Sequence, residues 1–427
     1  MFYLSYNILS IFLLIPVCIF HLYRSVSRSR PPALAERLGL IPISALKKIS
    51  RRPVIWLHAV SVGESIAARP LLKALRSRYP DHAIVVSNTT ETGRSVVSGF
   101  PETDLCIYFP FDFLPAVWST LNRISPELII IMETEIWPNF TREASRRGIP
   151  LVLANGRISD RSFAGYQRFS WFFKHALEQF SKLCMQTDTD HERIVTIGAP
   201  ADRVITTGNL KYDIAFRHVS DEEKRRLCEQ YLIPEGVIVI TAGSTHAGEE
   251  RYLIDTYLEL LMTVTNLFLV LVPRHPERTG EVALLLERSG LQFRRRSRLS
   301  AAGQFKNGEV LLVDTIGEMM SLYALSDVAF VGGSLVPTGG HNLLEPASVG
   351  ISSLFGPEMA NFREIAALVL QYGAGIQVET PEGLTESCRA LITSPELRRV
   401  LGQNGLKMLR DNGGATDRHM EIIGHYL

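Results

Sequence analysis

Apolar runs of strand length alternate with segments of helical periodicity from Val54 onward, and this alternation constrains the fold more than any other feature. Runs of Val, Ile and Leu that are separated by helices are typical of parallel sheets covered on both faces. The alternation occurs in two series, separated by a polar stretch at 211–224. The runs lie at 54–60, 83–87, 105–109, 128–132, 151–154 and 183–186, and then at 237–242, 267–272, 310–313, 328–331 and 353–355. Two doubly wound, Rossmann-like α/β domains are therefore expected.

The length of 427 residues is ample for two such domains, and the 46% hydrophobic content fits globular α/β structure. The predicted organisation is an N-terminal membrane anchor at 1–23, a basic juxtamembrane linker at 24–52, an N-terminal Rossmann-like domain at 53–214 and a C-terminal one at 215–427. A last helix that packs back on the N-terminal domain is compatible with this division.

Residues 1–23 contain no Asp, Glu, Lys or Arg and are followed by Arg24, Arg28 and Arg30. About 20 apolar residues suffice to cross a bilayer as a helix. No basic segment precedes the apolar run and no small-residue cleavage site is evident, which is unlike a cleaved signal peptide. The arginines predict that the body of the protein stays on the cytoplasmic side. Whether the segment spans the membrane, lies on it or is a buried helix stays open.

Three glutamates follow predicted strands of the first series at their carboxyl ends, where ligands bind in open α/β sheets. Glu64 opens a helix directly after Gly63, and Glu133 and Glu135 flank Thr134 after the fourth run. Burial raises the pKa of a carboxyl, so Glu64 is suited to act as a general base. The alternative is an interaction with the helix dipole alone. Glu133 and Glu135 are suited to bind sugar hydroxyls, to orient the base or to hold a cation, or else to accept N–H bonds from neighbouring loops.

Basic residues follow the strand ends of the second series. Arg274 and Arg278 bracket His275, and a guanidinium group binds phosphate through two hydrogen bonds. Lys211 lies near the domain boundary, where it can reach a phosphate or a carboxylate. The alternatives are a solvated helix start for the arginines and an ordinary surface position for the lysine.

The segment 328–346 combines a buried strand, a loop with four glycines and a helix that is predicted to start near Asn342. Glycines let the backbone approach an oxyanion closely, and a helix N-terminus presents N–H groups and a favourable dipole to it. Glu345 is placed to accept from ribose hydroxyls. The segment predicts a nucleotide-phosphate site without a Walker A motif, and the alternative is a glycine-rich turn without a ligand.

The sequence contains no strong pattern for a disulfide, a metal ion or nucleic acid. Its five cysteines form no C-x-x-C, as expected in a reducing compartment. The D-x-D at 188–190 is interpreted as a helix start, and the basic run at 294–298 as a solvated or headgroup-binding segment, because no aromatic platform accompanies it. The segment 168–180 is either a core helix or a surface that meets lipid.

Seven motifs occur in a fixed order along nearly the whole chain. They are HAVSVGE at 58–64, METEIWPN at 132–139, LANGRISDRS at 153–162, TGNLKYD at 207–213, GSTHAGEE at 243–250, PRHPER at 273–278 and GGHNLLEPA at 339–347. With these motifs the chain resembles the 3-deoxy-D-manno-octulosonic acid (Kdo) transferases of lipopolysaccharide synthesis. The resemblance implies a GT-B glycosyltransferase, in which an acceptor domain and a nucleotide-sugar donor domain face each other across a cleft.

The resemblance also implies the reaction. CMP-Kdo is the implied donor, a lipid A precursor (lipid IVA) is the implied acceptor, and transfer inverts configuration and adds one or more Kdo residues. Glu64 is the implied catalytic base, assisted on the acceptor side by Glu133 or Glu135. The predicted donor-binding residues are Lys211, Ser244, Arg274, His275, Gly317, Glu318, Gly340, Asn342 and Glu345.

No metal ion or other cofactor is expected, because amides, an arginine and a helix dipole can neutralise a departing phosphate. The expected location is the bacterial inner membrane, with the catalytic domains on the cytoplasmic side and no nucleic acid as partner. Two alternatives stay open: another GT-B enzyme that uses a UDP-sugar, and a membrane-anchored nucleotide-binding scaffold. A thermal-shift comparison of CMP with UDP separates the first of these from a Kdo transferase.

Overall fold

The computed structural model describes residues 2–27, 33–301 and 303–427. Two of the predicted juxtamembrane arginines, Arg28 and Arg30, lie outside these ranges. Within them, the backbone forms fourteen strands and twenty α-helices, joined by loops and a few short 3-10 turns.

The chain divides into two compact units. The first is discontinuous and comprises Met1–Asp213 and Gly413–Leu427, whereas the second is Ile214–Asn412. Each unit contains its own sheet and its own buried apolar clusters. The last helix therefore belongs to the first unit.

The strands are parallel wherever they pair. Those of the first unit are β1 (Val54–His58), β2 (Ala83–Asn88), β3 (Leu105–Tyr108), β4 (Leu128–Met132), β5 (Leu151–Gly156), β6 (Lys182–Met185) and β7 (Val204–Thr206), and those of the second are β8 (Ile238–Thr245), β9 (Leu267–Pro273), β10 (Phe293–Arg295), β11 (Val310–Leu312), β12 (Val328–Val331), β13 (Ser353–Phe355) and β14 (Gly375–Gln377). Every residue of β1, β2, β4 and β5 is buried, because helices cover both faces of the sheet.

The helices mostly connect successive strands and bury an apolar side. Helix starts carry side-chain caps, such as Ser61 and Thr90, each of which accepts an N–H bond from the residue three positions ahead. The α-helices are α1 (Phe2–Ser27), α2 (Leu34–Arg37), α3 (Ile43–Leu46), α4 (Val62–Ala67), α5 (Arg69–Arg78), α6 (Glu91–Val97), α7 (Leu114–Ile124), α8 (Pro138–Arg146), α9 (Asp160–Arg168), α10 (Ser170–Leu177), α11 (Asp188–Ile197), α12 (Asp221–Gln230), α13 (Glu249–Leu261), α14 (Thr279–Arg288), α15 (Met319–Leu325), α16 (Leu344–Ser348), α17 (Arg363–Gln371), α18 (Pro381–Thr393), α19 (Pro395–Asn412) and α20 (Ala415–Ile423).

The sheet orders are β3-β2-β1-β4-β5-β6-β7 and β10-β11-β9-β8-β12-β13-β14. In each sheet the early strands lie on one side of the first strand (β1 or β8) and the later strands lie on its other side. The prediction of two doubly wound α/β domains is therefore confirmed. The switch point lies between β1 and β4 in the first unit and between β8 and β12 in the second. The paired strands end level with each other, since His58 pairs with Ile131 and Val331 pairs with Gly243.

Three short strands at sheet edges (β7, β10 and β14) were not predicted. One of them, β10, lies inside the basic run at 294–298, and the interpretation of that run as solvated is wrong for two of its arginines. The guanidinium of Arg294 stacks 3.6 Å from the ring centroid of Phe305, and Arg296 is paired with Glu318. An edge strand needs little apolar sequence, because one side of its backbone faces away from the sheet.

Two predicted helices also differ from those observed. The helix expected near Asn342 begins at Leu344 and has five residues. The segment 168–180 forms the end of α9 and all of α10 rather than one helix, with Phe169 and Trp171 exposed at the break and Phe180 buried. This segment is therefore core at one end and surface at the other.

The last helix is attached to the first unit by the carboxylate of Asp213. This carboxylate accepts N–H bonds from Gly414 at 2.6 Å and from Thr416, so it caps the start of α20. The buried ring of His419 then accepts an N–H bond from Asn155 of β5 at 3.1 Å. Burial lowers the pKa of His419 to about 4, which keeps the ring neutral in this contact.

Candidate functional site

The predicted site residues that follow β1, β4, β8 and β12 stand next to the switch point of their sheet. Glu64 lies in the first turn of α4 after β1, and Glu133 and Glu135 lie in the loop after β4. In the second unit, Ser244 lies near the end of β8, and the glycine-rich loop follows β12. The carboxyl ends of strands at such a switch point form the usual ligand-binding crevice of open α/β sheets.

The carboxylate of Glu64 folds back over the first turn of its helix. Its Oε2 atom accepts from the N–H of Val60 at 2.7 Å, and its Oε1 atom accepts from the hydroxyl of Ser61 at 3.0 Å. Ser61 in turn accepts from the N–H of Glu64, as in a capping box, although the N–H that the Glu64 carboxylate binds is that of Val60 rather than that of Ser61. Glu64 therefore does interact with the start of its own helix, which was one of the two roles considered from the sequence. This interaction fixes the position of its carboxylate.

Burial raises the pKa of Glu64 from 4.5 to about 7. The hydrogen bond from Val60 works against this rise, and the negative charges of Glu133 and Glu135 add to it. A carboxyl group with a pKa near 7 is partly ionised at neutral pH, so it is suited to accept a proton in a reaction. The structure thus brings the three predicted carboxylates together as one electrostatic group.

The loop after β4 is held in an uncommon conformation. Glu133 has a φ of 55°, in the left-handed region that few residues other than glycine adopt, and its N–H donates to Ala154 at 2.9 Å. Thr134 exchanges two hydrogen bonds with the backbone of Arg157. Burial and then the charge of Glu133 raise the pKa of Glu135. Backbone strain that is held in place by neighbours is common at functional sites.

Lys211 belongs to the first unit. It lies on the 3-10 turn Leu210–Tyr212, which the side chain of Asn155 fixes to the end of β5 by accepting the N–H of Leu210 at 2.9 Å. The lysine is half-buried, and its ammonium group makes no hydrogen bond or ion pair with another described residue. Its predicted contact with the donor stays a prediction.

The two arginines after β9 have different surroundings. Arg274 is exposed, and its guanidinium makes no hydrogen bond or ion pair within the described ranges. Arg278 instead donates to the buried carboxylate of Glu250 at 2.8 Å and 3.4 Å, and also to Glu281. Arg278 is therefore committed to the fold, which leaves Arg274 as the arginine available to an anionic ligand.

The glycine-rich loop binds a carboxylate group of the protein itself. The carboxylate of Glu249, at the start of α13, accepts N–H bonds from Gly333 at 2.7 Å, Ser334 at 2.9 Å and Leu335 at 2.8 Å. It also accepts the N–H of His246 at 2.9 Å. Glu249 was not predicted as a site residue. It occupies the amides that directly follow β12, so a ligand phosphate must be bound by other groups of the loop.

The second half of the loop is shaped by glycine and asparagine. Gly340 has a φ of 75°, and a Cβ atom there would come within 2.3 Å of the sulfur of Met359, so only glycine fits. The side chain of Asn342 accepts the N–H of Leu344, the first residue of α16, at 3.1 Å. Burial raises the pKa of Glu345, whereas Asn342 and the positive charge of Arg274 lower it. Arg274, Asn342 and Glu345 are thus neighbours.

Two histidines that were not predicted connect β8 to the glycine-rich loop. The Nε2 atoms of His246 and His341 lie 2.9 Å apart, and the two rings are stacked. Burial lowers the pKa of His246, and burial and then the charge of His246 lower the pKa of His341 to about 4. The predicted site residue His275 is exposed, and its ring meets His246 edge-on, with 5.8 Å between the ring centroids.

Gly317 and Glu318 lie between β11 and α15. Gly317 is exposed with a φ of 93°. The carboxylate of Glu318 accepts from Tyr231 at 2.9 Å and from Arg296 at 2.8 Å. Against the effect of burial, hydrogen bonds from Thr315 and Arg296 lower the pKa of Glu318. Glu318 is thus bound within its own unit, and its predicted contact with the donor stays a prediction.

An exposed arginine, a histidine pair and the glycine-rich loop lie at the edge of the second sheet, whereas three interacting carboxylates lie at the edge of the first. The described residues include no cluster of three or more His, Cys, Asp or Glu side chains placed to hold a metal ion. The D-x-D at 188–190 is part of a helix start, as interpreted from the sequence, with Thr187 as the N-cap.

Comparisons with known proteins agree with this arrangement. The family model described as 3-deoxy-D-manno-octulosonic-acid transferase (kdotransferase) matches residues 32–214. The chain is 37% identical over 376 residues to the 3-deoxy-D-manno-octulosonic acid transferase of Haemophilus influenzae and 32% identical over 386 residues to that of Bordetella pertussis, with 87% of each chain covered in both cases.

Two solved structures show the same fold at low identity. A glycosyltransferase from Rickettsia africae aligns with a TM-score of 0.55 at 14% identity, over 88% of this chain and 99% of that one. The UDP-GlcNAc 2-epimerase from Neisseria meningitidis aligns with a TM-score of 0.57 at 16% identity, over 87% of this chain and 99% of that one.

The two doubly wound units have the GT-B fold, and the curated relatives place the chain among the glycosyltransferases. Identity above 30% across most of both chains settles the family. The protein belongs to the Kdo transferase family.

Proposed function

We propose that the protein transfers Kdo from CMP-Kdo to a lipid A precursor, lipid IVA, with inversion at the anomeric carbon. Membership of the Kdo transferase family supports the identity of the transferred sugar. The observation that carries the chemistry is Glu64, a half-buried carboxyl whose pKa burial raises to about 7 beside two further carboxylates.

In this proposal Glu64 is the general base. Its carboxylate takes the proton of the acceptor hydroxyl while that oxygen forms a bond to the anomeric carbon of Kdo. The bond from this carbon to the phosphate oxygen of CMP breaks, and its electron pair leaves with the phosphate. A single displacement of this kind inverts configuration. Glu133 and Glu135 bind acceptor hydroxyls, and their charges keep the pKa of Glu64 high enough for it to hold the proton.

The second unit binds the donor in this proposal. Arg274 neutralises the phosphate of CMP, because its exposed guanidinium makes no hydrogen bond or ion pair with a described residue and is available to a ligand. Glu345 accepts from ribose hydroxyls, and Ser244, Gly340 and Asn342 set the backbone around the nucleotide. His275 stands beside Arg274 at the same strand end. A positively charged side chain and backbone amides stabilise the leaving phosphate electrostatically, so the scheme needs no metal ion.

We also propose that the protein works at the cytoplasmic face of the bacterial inner membrane. By length and composition, residues Tyr3–Tyr23 form a helix long and apolar enough to cross a membrane, with a mean hydropathy of 2.0. A lipid acceptor stays in the bilayer, so an anchored enzyme meets it at a higher effective concentration. The 5 cysteines, none of them in a disulfide within the described ranges, fit a reducing compartment.

The direct test is the variant Glu64→Gln, which keeps an oxygen for the N–H of Val60 but cannot take up a proton. We expect transfer from CMP-Kdo to lipid IVA to fall by at least about 100-fold, because that is the smaller end of what a general base contributes. Binding of CMP, measured by calorimetry, should stay unchanged. Mass spectrometry of the product identifies both the sugar and the number of residues added.

The matched control is Glu91→Gln. Glu91 stands in the first turn of α6, directly after β2, as Glu64 stands in the first turn of α4 after β1. Loss of a helix-start charge is thus common to both variants, and loss of the base is specific to Glu64. Near-normal transfer by Glu64→Gln, or an equal loss in both variants, would exclude Glu64 as the base.

A further inference from the structure

Helix α1 has an inverted distribution of polar and apolar residues. Its partly buried side, which faces the first unit, carries most of its polar side chains: Tyr3, Tyr6, Asn7, Ser10 and His21. Its opposite side is apolar apart from Ser5, and large side chains there are 50–71% exposed, among them Leu4, Ile8, Leu9, Phe12, Ile15, Ile19 and Phe20. A helix that packs on a protein in water normally shows the reverse pattern.

The polar side of α1 is bound to the first unit by specific contacts. Tyr6 donates to the carboxylate of Asp112 at 2.7 Å, and the same carboxylate accepts the N–H groups of Asn139 and Phe140 at the start of α8. The side-chain amide of Asn139 also donates to Asn7 at 2.9 Å. Desolvation raises the pKa of Asp112, as expected for a carboxylate covered by these partners.

These contacts extend along most of the helix. Near its start, Tyr3 donates to the carbonyl of His175 at 3.3 Å and stacks under the guanidinium of Arg142. Near its other end, the rings of His21 and Phe111 have centroids 5.3 Å apart. Eighteen residues of α-helix separate Tyr3 from His21, which corresponds to about 27 Å, nearly the thickness of the hydrocarbon core of a bilayer.

This length excludes a simple spanning arrangement for the docked helix. If α1 crossed the bilayer while these contacts persist, Arg142, Asp112 and the backbone at His175 would lie at hydrocarbon depth beside it. Charged side chains at that depth are costly and rare. The docked helix can instead lie along the membrane surface, where its polar side stays with the protein and its apolar side enters the lipid.

Exposed aromatic and basic side chains adjoin the helix. The ring of Phe172 contacts Tyr6, and the ring of Trp171 in turn contacts Phe172. Trp171 is 63% exposed. The exposed Arg168 and Lys174 flank this aromatic segment. Tryptophan is favoured at the boundary between hydrocarbon and headgroups, and lysine and arginine near that boundary bind anionic headgroups.

We propose that α1 is an in-plane anchor: it stays docked on the first unit and inserts its apolar side, together with Trp171, into one leaflet of an anionic bilayer. Both ends of the helix then lie on the same side of the membrane as the rest of the protein. This inference refines the membrane location given under the proposed function. It concerns the position of α1 only, so its test does not depend on the transfer reaction.

The test uses the full chain with a short protease-cleavable tag at the N-terminus, in sealed inner-membrane vesicles whose cytoplasmic face points outward. We expect protease to remove the tag without detergent, because the N-terminus lies on the same side as the two units. Protection of the tag until detergent is added means that α1 spans the membrane, and it overturns the proposal.

The second measurement is flotation with vesicles of phosphatidylethanolamine and phosphatidylglycerol in a 3:1 ratio (an assumed composition of about one quarter anionic lipid). The double variant Phe12→Glu, Ile15→Glu should bind at least about tenfold more weakly, because two apolar anchors are lost. Met262→Glu, which changes an 83% exposed methionine of the second unit, is the matched control. Equal flotation of the double variant and the control shows that the apolar side of α1 does not contact lipid, and it also overturns the proposal.

Transfer to a detergent-dispersed acceptor keeps the two proposals separable. The Phe12→Glu, Ile15→Glu variant should retain the wild-type rate on such an acceptor, because neither residue belongs to the proposed catalytic group. If the wild-type protein also fails to transfer Kdo, the proposed function is wrong while the anchor proposal stands on the tag and flotation results. If only the variant fails, α1 supports the fold of the site rather than membrane binding.

Discussion

The two units share an architecture but differ in the chemistry at the carboxyl edges of their sheets. In the first unit that edge carries Glu64, Glu133 and Glu135, and the pKa of Glu64 is raised because burial and neighbouring charges both oppose its ionisation. In the second unit the edge carries Arg274 and a histidine pair with lowered pKa values, while the buried carboxylate of Glu249 is satisfied by backbone N–H groups.

This difference shows that the carboxyl edge of a doubly wound sheet determines where a site lies but not its chemistry. In the first unit, burial and the repulsion between carboxylates raise the pKa values of Glu64 and Glu135, even though Glu64 accepts two hydrogen bonds, and this suits proton uptake. In the second unit the carboxylate of Glu249 binds N–H groups of a loop, and the exposed guanidinium of Arg274 provides a positive charge at this edge. The loops after the strands, rather than the sheets, decide which role each unit has.

Among the variants that test this difference between the two units, Glu249→Ala is expected to have the largest effect. The change leaves four N–H groups without their acceptor, each of which costs about 1–3 kcal/mol when it stays buried. We expect the free energy of unfolding to fall by about 4 kcal/mol or more in total and CMP binding to be lost, as measured by urea titration and calorimetry. Asp255→Ala, on the exposed side of the same helix, is the control and should change little. Unchanged CMP binding by the Glu249 variant would mean that the loop is not part of the donor site.

The second effect separates the two arginines after β9. Arg274→Ala should weaken CMP binding by about 10–100-fold without lowering stability, because a hydrogen-bonded charge contributes about 1.5–3 kcal/mol. Arg278→Ala should instead lower the melting temperature, since it leaves the buried Glu250 without its ion pair. Calorimetry and thermal unfolding of both variants check this. Equal effects of both variants on CMP binding would contradict the distinction.

The third effect concerns the pH dependence of the first unit. A base with a pKa of about 7 is ionised above that pH, so kcat/KM should rise as pH increases through 7 and level off above it. In Glu133→Gln a negative neighbour of Glu64 is removed, so the rise should move to lower pH. Rate profiles from pH 5 to 9 (about two units on either side of the pKa) measure both. A profile that does not change in this variant would show that the carboxylates act independently.

The smallest effect is expected from metal removal. If Arg274 and backbone amides neutralise the leaving phosphate, transfer in the presence of EDTA should equal transfer without it. Loss of activity that magnesium restores would show that the second unit requires a cation at the phosphate, and the electrostatic role given to Arg274 would then be incomplete.

The fold could be predicted where the apolar signal is continuous. The bounds of β4 and β12 follow from LIIIM and VAFV, which leave no polar residue to mark a turn. The strand β10 has the sequence FRR and carries no such signal, because an edge strand is defined by its partner rather than by its own side chains. The position of Glu64 could likewise be predicted, since a glycine and a capping serine precede it within the same turn.

The roles of Glu249 and His341 could not be predicted, because their partners are distant in sequence. Three of the four N–H groups that Glu249 binds are 84–86 residues away and belong to backbone, which has no sequence signature. The histidine pair joins residues 95 positions apart. Arg274 and Arg278 lie in one short motif with similar local sequence, and only the buried Glu250 distinguishes them.

The cap that Asp213 provides for α20 has a consequence for how the protein is made. The helix that completes the first unit follows the whole second unit in the chain. On the ribosome, the first unit therefore cannot complete its fold until the second unit has been synthesised. A stop codon between the second unit and α20 would thus damage the half of the protein that was synthesised first.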